Sequence, residues 1–575
     1  MSTPLSLAIA SLSAQRNTIG QPLLDGKRIG LEKENLRVQS NGVIAVSDHP
    51  SGLGSALCNP YITTDYSEAL LELVTPALHS VPEALDFLTH IQNFVQSQLP
   101  DDEVLWNTSM PCVLDGPEHI RIGCYGTSNS GTMKTVYRRG LGLRYGKAMQ
   151  TIAGVHFNHS WSTPTWKALA NFVTDNPAAR SELSTHAESL ARQTSEEERE
   201  QSKAGISHPF VSEGYLAVTR NLLRNTWLIP LLFGASPAVC KTFLDGGDPV
   251  TELEGFNGST YFQRYATSLR MGDIGYNYSK KAAASISVDY SSLDTFTRDL
   301  YRLITTRHNG YHEMGLKDAE GEYQQLNTNL LQIENEYYAA VRPKQLAGKM
   351  EPPVLAMRNR GIMYAELRCL DVNVFEPVGM NEEQLLFLEI FMLHALLTES
   401  PMNNSEEMTN IGRNMSMVAH RGRDPEATLN LGAKKVPVRD AALALLDDLQ
   451  EVAEFMDNDR NTHGESGITG DTDHLYRNAL KAQRLKVEDF SLTPSARVLD
   501  ELFASHNSFH DLARAESEKA SSRCSDLSVD KKTLEKISSA VAESVAKQQQ
   551  MESDTATSFE DFLADYFKTL EKQPL

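Results

Sequence analysis

Residues 28–38, RIGLEKENLRV, set Glu32 and Glu34 two positions apart in a stretch that reads as a β-strand. Side chains alternate faces along a strand, so both carboxylates project from one face, about 6–7 Å apart. Carboxylates among apolar neighbours cost several kcal/mol unless they are paired or bound to a cation. The same feature recurs outward along the chain. YITTDYSEALLELVTP (61–76) carries Asp65 and Glu72, and MYAELRCLDVNVF (363–375) carries Glu366 two positions before Arg368. TIAGVHFNHSW (151–161) alternates as another strand around His156, and GVIAV (42–46) and LLQIENEYYA (330–339) complete the strand candidates. Any one of these acids would pass as an edge-strand surface residue, and His156 alone as a core histidine. Five acids in strand contexts together point to a cation site.

Oxygen-rich ligand sets suit Mg²⁺, and a histidine among them makes Mn²⁺ acceptable as well. Both ions pair naturally with nucleotide phosphates. Arg138, Arg270 and Arg368 form a second set, since planar guanidinium forks fit carboxylate and phosphoryl oxygens. Tyr137, Tyr276 and Tyr338 recur near them in sequence.

Between the strands the text is helical. PEALDFLTHIQNFVQS (82–97) has helical spacing behind a proline, residues 215–233 read as one helix, and the chain beyond about Glu382 is mostly helical. YGTSNSGTMKT (125–135) reads as a polar glycine-rich loop, residues 244–258 as a long polar loop, and 176–205 as a solvated helix or linker joining two halves. Strands interspersed with helices without strict alternation predict an α+β architecture. Residues 1–512 form the expected catalytic unit, and 513–575 a polar, loosely packed helical tail to which no chemistry is assigned.

Composition narrows the function. The 575 residues contain 54 Lys plus Arg against 75 Asp plus Glu, a net charge of −21, so a nucleic-acid partner is not expected. The N-terminal MSTPLSLAIASLSAQR lacks a basic region ahead of an apolar core and reads as an amphipathic helix rather than a signal. The most apolar run, Leu385 to Leu397, is interrupted by Glu389 and His394 and is shorter than the ~20 residues that span a bilayer, so no membrane segment is expected. Six scattered cysteines without a C-x-x-C pair indicate reduced thiols and a cytoplasmic protein. Familiar nucleotide signatures fail. GTSNSGT lacks the lysine of a phosphate loop, and GLGLRYG is one residue too long for a dinucleotide fingerprint.

Taken in order, the blocks GLEKENLRV, ITTDYSEALLELVTP, YGTSNSGTMKTVYRRGL, RYGKAMQTIAGVHFN, YATSLRMGDIGY, NLLQIENEYYAAVRPK and YAELRCLDVNVFEPVG resemble the proteobacterial glutamate–cysteine ligases. The resemblance implies a glutamine synthetase-like catalytic domain, in which helices wrap a curved antiparallel sheet lined with metal-binding acids. It implies ATP-dependent joining of the L-glutamate γ-carboxylate to the L-cysteine amine through γ-glutamyl phosphate, the first step of glutathione synthesis. By motif match, Glu32, Glu34, Asp65, Glu72, His156 and Glu366 correspond to the Mg²⁺ ligands and Arg138 and Arg368 to the phosphoryl-facing pair. Tyr66, Tyr137, Leu141, Gln150, Arg270, Tyr276 and Tyr338 correspond to the cysteine pocket, with the segment from Arg270 to Tyr276 expected to close on bound cysteine. Glutathione is implied as a feedback inhibitor, and a monomer is expected.

Overall fold

The computed structural model describes residues 3–111, 113–244, 253–274, 288–348, 350–461, 474–505, 507–526 and 530–571. Its centre is a seven-stranded antiparallel sheet. The strands are β1 (Arg28–Gln39), β2 (Ile62–Thr64), β3 (Leu70–Val74), β4 (Glu103–Trp106), β5 (Val155–Ser160), and two later ones separated by a small second sheet. That second sheet contains β6 (Ala238–Cys240), β7 (Glu254–Phe256) and β8 (Thr260–Phe262). The main sheet then resumes with β9 (Val341–Lys344) and β10 (Tyr364–Leu370), in the order β2-β3-β1-β5-β10-β9, with β4 paired to the far end of β1. Helices fill most of the remaining chain, so the architecture is α+β as expected.

The period of two sorts the sheet into two chemically distinct faces. Ile29 and Leu31 of β1, Val155 and Phe157 of β5, and Ala365 and Leu367 of β10 are fully buried or nearly so, and belong to the main hydrophobic core. Their neighbours Glu32 and Glu34, His156 and Asn158, and Glu366 and Arg368 take the other face. Register then brings the polar set together: Glu32 stands opposite His156, Glu34 opposite Glu72, and Glu366 opposite Asn158. One extra residue on β10 between Leu367 and Leu370 breaks the ladder with β5 next to Arg368, and such a bulge bends a strand locally.

Lys33 is the exception on the apolar face. Its buried ammonium donates to Gln92 Oε1 at 2.7 Å and Asn107 Oδ1 at 3.0 Å, and burial pushes its pKa down to about 7.

Several local expectations change. LLQIENEYYA is not a strand: it forms bends and a single turn at Glu334–Glu336, and β9 begins at Val341. The glycine-rich segment after Tyr125 is not a loop throughout, because Ser128 caps the helix Asn129–Tyr145 by accepting from the Gly131 amide. GVIAV contributes only isolated bridges. Residues 215–233 divide into helices Pro209–Asn225 and Leu228–Phe233, and the described end of the expected loop at 244–258 contains β7. The region 176–205 contains helices Ser184–Ala191 and Ser195–Lys203; the second buries no residue, as expected of a solvated helix, whereas Leu183, Ala187 and Leu190 join the core. Among the described residues no helix is long and apolar enough to cross a membrane, and the run 385–397 lies in the wholly buried part of helix Glu382–Leu397.

The C-terminal region is helical but not loose. Helix Phe509–Asp526 runs through position 512, and its Ser517 hydroxyl accepts from the Asn107 amide at 2.9 Å. Helix Lys531–Ser553 docks on residues 54–58, where the Ser55 amide donates to Ser544 Oγ at 3.0 Å. Gly54, at φ +79, leaves room for that approach, since a Cβ there would lie 2.9 Å from the Val541 carbonyl oxygen. Polar composition concealed these contacts because the buried positions are mostly small or hydroxylated.

Candidate active site

The polar face of the sheet forms one wall of a cavity of about 940 Å³. Glu32, Glu34, Glu72, His156, Glu366 and Arg368 reach it from the sheet, and Arg342 and Lys344 from β9. Helix Asn129–Tyr145 supplies the facing wall. Its Ser130, Met133, Lys134, Tyr137, Arg138, Leu141 and Tyr145 recur at the three- and four-residue spacing of one helical face. Asp65 and Tyr66 enter from the loop after β2, Gln150 from the helical turn Ala148–Thr151 and Tyr338 from the loop before β9.

Acids and bases interlock at the sheet. His156 Nδ1 lies 2.8 Å from Glu32 Oε2 and 3.7 Å from Glu366 Oε1, while its Nε2 lies 3.7 Å from Glu34 Oε1. Asn158 Nδ2 donates to Glu32 Oε1 at 2.9 Å, and the Gly154 amide donates to Glu34 Oε2 at 2.6 Å. Arg368 Nη1 donates to Glu366 Oε1 at 3.0 Å, and Lys344 Nζ stands 3.3 Å from Glu366 Oε2.

The carboxylates divide electrostatically. Burial, reinforced by repulsion from Glu32, Asp65 and Glu34, raises Glu72 well above the usual carboxylate range. Burial and then Asp65 raise Glu34, against the pull of His156, Arg270 and Arg368. Burial would also raise Glu366, but Arg368, Lys344 and His156 outweigh it and hold it well below the usual range. Burial and Glu366 oppose ionisation of Glu32, and its contacts with His156 and the charge of Lys344 tip it downward.

This donor set fits a hard divalent cation. One ligand atom each from Glu32, Glu72 and His156 lie within 4.8 Å of one another, and a cation would relieve the repulsion that raises Glu34 and Glu72.

Arg138 is anchored in the opposite wall. Its Nε donates to the Asp65 carbonyl, its Nη2 donates to the Thr64 carbonyl at 3.4 Å, and the guanidinium stacks 4.5 Å from the Tyr125 ring centroid. Lys134, one turn earlier, has its pKa pushed down to about 8 by burial and then by Arg138. Burial and Arg368 push Arg342 down to about 10.

Of the residues singled out from sequence, the cavity lining includes Glu32, Glu34, Asp65, Tyr66, Glu72, Tyr137, Arg138, Leu141, Gln150, His156, Tyr338, Glu366 and Arg368. Arg270 is packed behind this lining, donating from Nη2 to the Arg368 carbonyl at 2.9 Å with Asp371 3.8 Å away. Gly154 permits that packing, because a Cβ there would sit 2.0 Å from Arg270 Nη2. Tyr276, and with it the end of the segment expected to close, lies outside the described residues.

Sequence reasoning missed Asn158, Lys134, Arg342, Lys344, Phe562 and Tyr566. Asn158 was findable, since it lies two residues beyond His156 on the same strand. Arg342 and Lys344 are hidden because the Tyr- and Ile-rich text of residues 330–339 reads as the strand, one segment ahead of β9.

Comparison with known proteins settles the family. The glutamate–cysteine ligase family model matches residues 11–193 and 183–418. The chain belongs to the glutamate–cysteine ligase family. A glutamate–cysteine ligase from Saccharophagus degradans is 39% identical over 548 residues, covering 95% of both chains. One from Alcanivorax borkumensis is 38% identical over 566 residues, covering 97% of this chain and 98% of its own. The crystal structure of the Francisella tularensis glutamate–cysteine ligase in complex with AMP superposes with a TM-score of 0.82 at 31% identity, covering 95% of this chain and 99% of that one. A bifunctional glutathione synthetase from Pasteurella multocida shares the fold, with a TM-score of 0.63 at 23% identity over 89% of this chain and 55% of its own. In these family terms, the paired strands β1, β3, β5 and β10 carry the acidic wall and helix Asn129–Tyr145 the basic one.

Proposed function

We propose that the chain is an ATP-dependent glutamate–cysteine ligase, forming γ-glutamylcysteine, ADP and phosphate in the cytoplasm as the first step of glutathione synthesis. The observation that carries the reading is the opposition, across one cavity, of buried carboxylates on the sheet and Arg138 on the helix, with Arg368 set among the acids. AMP in the Francisella relative supports a nucleotide here.

An amide does not form from a free carboxylate in water, so the γ-carboxylate must be activated. One of its oxygens attacks the ATP γ-phosphorus, the bond to the ADP oxygen breaks, and γ-glutamyl phosphate results. The cysteine amine then attacks the acyl carbon, loses a proton and expels phosphate. Arg138 and Arg368 hold the equatorial phosphoryl oxygens as charge spreads over them. Mg²⁺, or Mn²⁺, held by Glu32, Glu34, Asp65, Glu72, His156 and Glu366 supplies charge that offsets repulsion between carboxylate and polyphosphate. Tyr66, Tyr137, Leu141, Gln150 and Tyr338 orient cysteine and exclude water that would hydrolyse the acyl phosphate. Arg270 acts through the Arg368 backbone it holds. A monomer suffices, since these groups come from one chain, and a cavity shaped for γ-glutamylcysteine gives glutathione a place to compete as feedback inhibitor.

The deciding experiment measures ADP release from Mg-ATP and glutamate with and without cysteine, with the product identified by mass spectrometry. Cysteine-dependent ADP release yielding γ-glutamylcysteine is expected. ADP release only with another amine would reassign the acceptor, and none with any amine would end the ligase reading.

A further inference from the structure

Asp371 follows the last residue of β10 and lies outside the lining of the cavity. It is buried, yet three donors converge on its carboxylate: Ser236 Oγ at 2.6 Å and the Ala235 amide at 2.9 Å reach Oδ2, and Ser268 Oγ at 2.9 Å reaches Oδ1. We propose that Asp371 is a positioning residue for phosphoryl transfer: it fixes Arg270, and Arg270 fixes the backbone from which the Arg368 fork projects. The proposal rests on the ligase reading above and says how Arg368 is aimed within it.

The contacts begin at the irregularity in the sheet. The bulge between Leu367 and Leu370 takes Arg368 out of register with β5. Its amide donates to the Ala340 carbonyl at 2.8 Å, and its own carbonyl accepts from Arg270 Nη2 at 2.9 Å. The backbone beneath the fork is therefore set by a side chain from a distant segment as well as by the sheet.

Arg270 arrives on the helical turn Leu269–Met271, and Asp371 controls both ends of it. A buried guanidinium needs a countercharge, and Asp371 Oδ1 stands 3.8 Å from Arg270 Nη1. The backbone is held through the two serines. Ser268, which caps the turn by accepting from the Met271 amide, donates to Oδ1, and Ser236, which donates to Oδ2, accepts from the Arg270 amide at 3.4 Å. The preceding residues are fixed independently, since the Thr267 and Ser268 amides donate to the Ala419 carbonyl of helix Ser405–Arg421 at 2.9 and 3.2 Å. Losing the Asp371 charge would thus loosen the guanidinium without releasing the segment that carries it. Direction matters here, because Arg270 also attracts Glu34 on the acidic wall. Without the Asp371 charge the balance tips toward that wall and away from the Arg368 carbonyl, and a fork displaced by a fraction of an ångström meets the phosphoryl oxygens poorly.

Asp371→Asn keeps the shape and removes the charge that faces Arg270. Full-length protein carrying it, alone and combined with Arg368→Lys, is assayed for kcat and for the KM of each substrate. Alone, Asp371→Asn is expected to lower kcat about tenfold with every KM within about threefold, and to cost less than about twofold once Arg368→Lys has removed the planar fork it serves. Equal losses in the two backgrounds, as a role confined to folding would give, an unchanged kcat, or a rise confined to the cysteine KM would each overturn the proposal. Should Asp371→Asn not fold, Ser268→Ala, which keeps the charge but frees Oδ1, carries the same comparison, with kcat falling about threefold alone and unchanged in the Arg368→Lys background. A wild type without cysteine-dependent ADP release would overturn the ligase reading before any variant is compared, whereas a competent wild type with additive variants would overturn this proposal alone.

Discussion

Glu32 and His156 face each other across the β1–β5 ladder, with Oε2 and Nδ1 2.8 Å apart. Glu32→Gln keeps the shape and removes one unit of negative charge. The fold is expected to survive, because the crowded acids lose a repulsive neighbour, while turnover falls by about 10² or more as a cation ligand is lost. Circular dichroism with a Mg²⁺ titration of activity checks both halves. Near-normal turnover at limiting Mg²⁺ would remove Glu32 from the ligand set.

Arg368 is held at two points, by Glu366 through its side chain and by Arg270 through its carbonyl. Arg368→Lys keeps the charge but loses the planar fork, so kcat should fall by about 10²-fold with the ATP KM changing much less. Steady-state kinetics at saturating glutamate and cysteine decides this. A change confined to KM would assign Arg368 to ground-state binding.

The Tyr66 hydroxyl is buried and makes no hydrogen bond in the free enzyme. Tyr66→Phe removes a desolvated donor without opening a cavity, so the free enzyme should gain about 1 kcal/mol. In a chain of this length that is an upward shift in Tm of about 1 °C. Scanning calorimetry without ligands tests it, and a drop in Tm would show that the hydroxyl is satisfied in solution.

His394, 6% exposed in helix Glu382–Leu397, has its pKa pushed down to about 4 by burial. The unfolded chain takes up the proton near pH 6.5, before the folded one does, so this contribution is complete above that pH and is lost as pH falls toward 4. Between pH 7.5 and 5 the loss attributable to this group is about 2 kcal/mol. His394→Leu should lessen the pH dependence of the unfolding free energy measured in urea by that amount, and identical dependence in both proteins would show that His394 titrates normally.

The acidic wall was legible in sequence because strand alternation is local: Glu32 with Glu34, and Glu366 with Arg368, declare a shared face from spacing alone. The matching basic wall was not, because YGTSNSGTMKT has the composition of a loop and becomes a helix through the Ser128 cap. Arg342 and Lys344 follow a segment rich in Tyr and Ile whose strand propensity gave way to tertiary packing around Glu334 and Glu336. Phe562 and Tyr566 were invisible for another reason. The residues that share the cavity lining with them, such as Met133 and Ile333, are hundreds of positions away, and no local pattern encodes that meeting.

Glu32 and Tyr566 line the same cavity from near opposite ends of the chain. The pocket is therefore completed only after almost the whole polypeptide has left the ribosome, and its closure is among the most non-local events in folding. A nascent chain halted anywhere before residue 559 would carry the acidic sheet with one side of the cavity open to solvent.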